Sequence, residues 1–142
     1  MNRILKILIN HLAEKRKTLF LIDSLGALLT AFFLLVVLPQ FNKYFGMPKT
    51  ILTYLSILAI CLGMYSTACF LFLKERWATF ISIISIANLL YCAITIALLI
   101  KYYSLLTLVG TIYFLIEIVL ICILSYIELN VATEIKKREQ RN

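Results

Sequence analysis

Four runs of apolar residues, at about 18–38, 50–73, 77–100 and 105–128, alternate with short polar or charged segments. A bilayer's hydrocarbon core of roughly 30 Å takes about 20 residues of helix to cross, so each run is long enough. Together they use most of the chain, and residues 1–142 read as a single membrane domain with no soluble one beside it. The connections Lys74-Glu75-Arg76 and Lys101 to Ser104 are too short to let helices separate. Consecutive spans are therefore expected to lie antiparallel in an up-down-up-down bundle. The fold predicted is an all-α integral membrane protein of four antiparallel transmembrane helices.

Both ends of the chain add helix. In residues 1–17, Ile4, Leu5, Leu8, Ile9 and Leu12 recur at three- and four-residue spacing, with Asn2, Arg3, Lys6, Asn10 and Lys17 between them. That pattern predicts an amphipathic helix lying in the membrane interface, its basic side toward anionic headgroups. Residues 130–142 form a charged tail that extends the fourth helix, with Glu134 and Arg138 at the supporting i,i+4 spacing. The longest loop runs from Pro39 to Pro48, and its prolines are expected to end the helices on either side. Phe41, Tyr44 and Phe45 there, with Tyr102 and Tyr103, suit an outer aromatic belt, and Trp77 marks the inner boundary.

Charge then orients the bundle. Of the 14 Lys and Arg residues, 11 fall before the first run, between the second and third, or in the tail; Lys43, Lys49 and Lys101 fall on the other side. Positively charged loops stay inside, so both termini are expected in the cytoplasm, with a bacterial inner membrane suggested by the Ile, Leu and Lys usage. The first run is longer than a signal peptide's apolar core and lacks an A-x-A-like site, so it is expected to persist as an anchor. A hydrophobic share of 63% stands well above the roughly 45–50% of soluble proteins. The net charge of +7 serves topology and leaves no basic face for nucleic acid, which is not expected as a partner. Cys61, Cys69, Cys92 and Cys122 all fall inside runs with no C-x-x-C, as packing residues do, and Cys61 and Cys92 lie at similar depths on neighbouring helices, where a disulfide is conceivable but not expected.

Three polar side chains inside the spans need partners: Asp23, Asn88 and Glu117. At about 1.5 Å per residue, Asn88 and Glu117 lie roughly 15–17 Å from the inner boundary and Asp23 about 7–8 Å. Periodicity groups them with small residues: Asp23, Gly26, Ala27 and Thr30; Ser56, Ala59, Gly63, Ser66 and Thr67; Ser85, Asn88, Cys92 and Thr95; and Gly110, Tyr113, Glu117 and, further along, Glu128. Small and polar stripes pack against one another while Leu and Ile meet lipid, so the interior is expected to be more polar than the surface. An ionised carboxylate at mid-membrane is costly, and Glu117 is expected neutral, donating to Asn88, Tyr91, Tyr113 or a backbone carbonyl. Its two readings are a proton-exchanging group and a hydrogen bond that fixes helix register. Asp23 is expected to be neutralised near the interface by Arg16 and Lys17, and Asn88 to bond between helices.

Catalytic signatures are missing: there is no P-loop, G-x-G-x-x-G, G-x-S-x-G or H-E-x-x-H, and His11 is the single histidine. No catalytic residue, cofactor or metal is expected, and the chain does not read as an enzyme. In size and span count it resembles the small multidrug transporters, four-helix bacterial proteins. Their essential glutamate lies in the first span, whereas here Asp23 stands in the first and Glu117 in the fourth, so the resemblance implies no shared site. The first expectation is a non-enzymatic structural or accessory protein whose partners are the lipid bilayer and further copies of itself or another membrane protein. The alternative is a small proton-coupled transporter or ion pathway working through a mid-membrane carboxyl, with Glu117, Asn88, Asp23, Tyr113 and Tyr91 as the polar site.

Overall fold

Long unbroken runs of Leu, Ile and Ala with polar punctuation only at their ends form helices throughout. The computed structural model describes residues 2–142; Met1, the first position of the predicted 1–17 helix, lies outside them. Among the described residues there is no strand. A short helix α1 (Arg3–Glu14) precedes four long ones: α2 (Arg16–Gln40), α3 (Lys49–Phe72), α4 (Trp77–Lys101) and α5 (Leu108–Arg141). All four are long and apolar enough to cross a membrane, as a multi-pass membrane protein requires. Their outer surfaces agree: Leu25, Leu29, Leu90 and Leu120 are each more than half exposed, which suits lipid far better than water.

The helix ends follow local chemistry. α5 begins later than the apolar run because Thr107 caps it, its Oγ1 accepting the Gly110 N–H at 3.1 Å. Pro48 sits at the N-cap of α3, where a missing N–H costs nothing. Pro39, by contrast, does not end its helix. The chain takes a wide turn over Phe33–Val37, in which the Leu38 N–H reaches back to the Phe33 carbonyl, and helix continues to Gln40. The wide turn makes room for a ring that would clash inside regular helix.

α2 packs most closely on α3, and α4 on α5, with a shorter contact between α3 and α4. Gly63 permits the first of these: a Cβ there would stand 3.3 Å from the Ala27 Cβ, tighter than ordinary contact. α1 folds back on the end of α5, burying Ile9, Leu12 and Ala13 beside Val131, Ala132 and Ile135 while Ile4 and Ile7 stay exposed. The predicted Glu134–Arg138 pair forms at 3.2 Å, and Arg138 also donates to Asn10 Oδ1 across to α1.

The core is divided. One apolar cluster holds α1, Leu19, Phe20, Cys69, Ile81 and the end of α5; another holds Leu34, Leu38, Leu52, Leu55, Leu99 and Phe114. On every long helix the segment between the two clusters carries buried polar residues: Asp23 and Ser24, Ser56 and Ser66, Ser85 and Asn88, Ser125 and Glu128. The bundle has a polar waist.

The connecting loops close over the second cluster. Thr107 donates to the Tyr44 carbonyl, and its N–H reaches the Phe45 carbonyl at 3.3 Å. Gly46, at φ +81°, and Gly110 both lie where a Cβ would overlap a carbonyl oxygen, of Leu105 and Phe45 respectively. Gly26 has open space around it. Gly46→Ala should therefore cost about 1–3 kcal/mol, whereas Gly26→Ala should be neutral or gain up to about 1 kcal/mol. Thermal unfolding in detergent would contradict this account if both variants melted alike.

Candidate functional site

Asp23 starts the site. It is buried at 4% exposure, and neither Arg16 nor Lys17 neutralises it: Arg16 turns back to donate to the Ala13 carbonyl, and Lys17 is exposed. Instead Ser66 Oγ donates to Asp23 Oδ2, and Asn88 Nδ2 donates to Asp23 Oδ1 at 2.8 Å. One carboxyl thus ties α2 to both α3 and α4. Beside it, Thr67 Oγ1 donates to the Gly63 carbonyl at 2.7 Å, so the 2.6 Å contact with Ser24 must be donated by Ser24. A hydroxyl has one proton to give.

The depth estimate from sequence separated Asp23 from Asn88, and the structure joins them. The estimate took each span's inner boundary as a common plane. The helix ends are in fact staggered: the two bonds to Asp23 level Ser66, six residues before the end of α3, with Asn88, eleven residues after the start of α4.

Glu117 has a different neighbourhood from the one expected of it through Asn88. Tyr91 Oη donates to Glu117 Oε1 at 2.8 Å, and Tyr91 is held by Thr95, whose hydroxyl bonds the Tyr91 carbonyl one turn back. Glu117 Oε2 is buried with no hydrogen-bond partner. Tyr113 does not bond Glu117; its ring packs against Phe114, Phe45 and Phe33, with centroids 5.2–6.3 Å apart. That draws Phe45 inward from the expected aromatic belt, while Tyr44 and Tyr103 remain exposed.

A cavity of about 190 Å³ joins the two groups. Asp23 and Asn88 line one end and Tyr91 and Glu117 the other, with Leu62, Ile121 and Leu124 between. Exposed Gly26, Leu29 and Leu120 form its rim, so it opens sideways between α2 and α5. A second hollow of similar size continues from Glu117 past Thr30 to Tyr113 and Phe33. No Lys, Arg or His lines either one. The arrangement can hold a proton or a positive charge and has nothing with which to hold an anion.

Glu128 belongs to the polar stripe of the fourth span but not to the expected site. It is fully buried against Asp23 and Asn88. The available signal was its spacing of 11 residues from Glu117, close to three helical turns and so the same face. The cysteines take no part: all four are free, Cys61 exposed and Cys92 buried with its thiol toward the Ile118 carbonyl. Among the described residues no group of His, Cys, Asp and Glu is placed to bind a metal ion by the usual three-ligand pattern. No protein-family model matches the chain, and neither a curated protein nor a solved structure matches it.

An interhelical hydrogen bond between neutral groups is worth about 0.6 kcal/mol on average, but stranding a buried carboxyl oxygen costs up to about 3 kcal/mol. Asn88→Leu keeps the shape and removes the donor to Asp23. It should sit at the upper end of that range in reversible unfolding, against no measurable cost for Thr53→Ala, whose hydroxyl bonds only the exposed Lys49 carbonyl.

Proposed function

We propose that this chain is a small proton-coupled membrane transporter in which Glu117 takes up and releases the coupled proton and the cavity between α2 and α5 receives the solute. The observation that carries the reading is Glu117 Oε2, a buried carboxyl oxygen without a partner in the wall of a laterally open cavity. A bundle held together only for structure gains nothing from this. A well-packed apolar side chain would avoid an unsatisfied group costing about 1–3 kcal/mol. Ionisable groups within membrane spans are expensive and mark proton and ion pathways.

In this reading the four long helices run antiparallel, up-down-up-down, through a bacterial inner membrane. Both termini lie in the cytoplasm, following the excess of Lys and Arg on that side. α1 lies along the inner surface as an amphipathic helix, with exposed Ile4 and Ile7 in lipid and Ile9, Leu12 and Ala13 on the protein. Proton binding neutralises Glu117; proton loss restores an anion at its end of the cavity that favours a cationic or hydrogen-bonding solute. Tyr91 keeps its bond to Oε1 in both states, which leaves Oε2 as the exchanging atom.

Proteoliposomes carrying a pH-sensitive dye test this directly. The wild-type chain should dissipate an imposed pH gradient, and Glu117→Gln, which retains shape and hydrogen bonding, should slow it by roughly a hundredfold. Equal rates for the two proteins would remove Glu117 from the mechanism and leave a structural or accessory role. For orientation, tags at both termini should resist protease in right-side-out vesicles and be cut in inverted ones. Cleavage of either tag from the outside refutes the topology.

A further inference from the structure

The oxygen that Glu117 leaves unpartnered does not stand among polar neighbours. Glu117 is 8% exposed, its Oε1 accepts from Tyr91, and Oε2 meets no hydrogen-bond donor of the protein. Most of the cavity wall around it is aliphatic, with Ala59 and Leu62 from α3 and Ile121 and Leu124 from α5. The other carboxyl in the wall is already engaged: Asp23 Oδ1 and Oδ2 accept from Asn88 and Ser66. The cavity therefore presents one free carboxyl oxygen in a hydrocarbon box.

Each property constrains an occupant. An unpaired carboxyl oxygen, in a cavity lined by no Lys, Arg or His, calls for a group that carries N–H bonds and a positive charge. A lone water is a poor guest in an aliphatic wall, because a buried water makes about three hydrogen bonds. The wall calls instead for a hydrocarbon body, and the volume limits its size. A cavity of about 150 Å³ admits benzene, so one of about 190 Å³ holds a single ring on a short arm. The mouth sets the route. Gly26, Leu29 and Leu120 at the rim are exposed, and Leu25 and Ile116 beside them are each more than half exposed, as lipid-facing side chains are.

We propose that the cavity between α2 and α5 binds a small, lipid-soluble primary amine of arylalkyl size, its nitrogen on Glu117 Oε2 and its hydrocarbon body against Leu62, Ile121 and Leu124. The amine crosses the lipid uncharged and meets the protonated carboxyl. The O–H bond of Glu117 breaks, its proton forms a new N–H bond with the nitrogen lone pair, and the two groups become carboxylate and ammonium with no change in total charge. The ammonium then donates to Oε2 while Tyr91 keeps Oε1. A quaternary ammonium has no N–H to give and does not complete the site. The inference rests on the proposed function for the cavity's role as the seat of the solute, and not for proton movement across the membrane.

Equilibrium dialysis of radiolabelled phenethylamine against the purified full chain in detergent, corrected for empty micelles, tests it. One saturable site per chain is expected. Phenethyl alcohol, the same shape with an uncharged head, should compete at least about tenfold less well, as should the N-trimethylated amine. Glu117→Gln should weaken amine binding at least about tenfold. At equal concentration the amine should raise the unfolding temperature of the wild type more than that of Glu117→Gln. Gly26→Phe, at a position where a Cβ meets nothing within 4 Å, should put its ring in the mouth and slow amine association several-fold while the chain stays folded. A folded wild-type chain without saturable binding overturns the site, as does binding that Glu117→Gln leaves unchanged or an alcohol that competes as well as the amine. Unchanged association in Gly26→Phe overturns the lateral route. Amine binding by a chain that moves no protons supports the site and refutes the transport reading alone; Glu117-dependent proton flux without amine binding does the reverse.

Discussion

A carboxyl buried among leucines must find donors for its oxygens or leave the bundle, and Asp23 finds them on two other helices. Ser66 reaches it from α3 and Asn88 from α4, each with a proton to give. In lipid, apolar contact does little to choose one helix pairing over another, because tails are as apolar as Leu. Directional bonds to a single acceptor therefore set the axial and rotational position of three helices at once. The close approach at Gly63 and the Ser24–Thr67 contact then follow on either side of it.

The remaining packing is arranged around that constraint. Each apolar cluster of buried side chains occupies one end of the bundle, and the half-buried Leu62 packs against both. Small residues at the waist bring the helices close enough for hydrogen bonds but fill space poorly. The cavity between α2 and α5 is the volume left where no donor–acceptor pair draws two helices together. Polarity, void and the unpartnered oxygen of Glu117 thus have one origin, where packing is weakest.

Much of this was legible from residue order. Run length gave the four long helices, and the small and polar stripes named Asp23, Ser66, Asn88, Glu117 and Glu128 as residues with something to hide. What periodicity does not carry is the offset between helices. A depth counted from a charged boundary assumes that all spans start in one plane, and the bonds from Ser66 and Asn88 to Asp23 break that assumption. For the same reason the cations next to Asp23 in sequence look like its partners, and Glu128 looks like the edge of a span. Tyr113 was near enough to Glu117 along the helix to look like its partner, but only three-dimensional packing could show that aromatic neighbours take its ring.

The wide turn at Phe33–Val37 divides α2 into halves with independent phase. It contains one residue more than a regular turn, which rotates everything beyond it by about 100° relative to an uninterrupted helix. Loss of a single position there would close the turn into regular helix, and the two changes of phase would cancel, so that Leu38 and the loop that follows keep their aim, as does Asp23. A difference of one residue in length is thus absorbed within this turn, and the helix on either side of it stays in place.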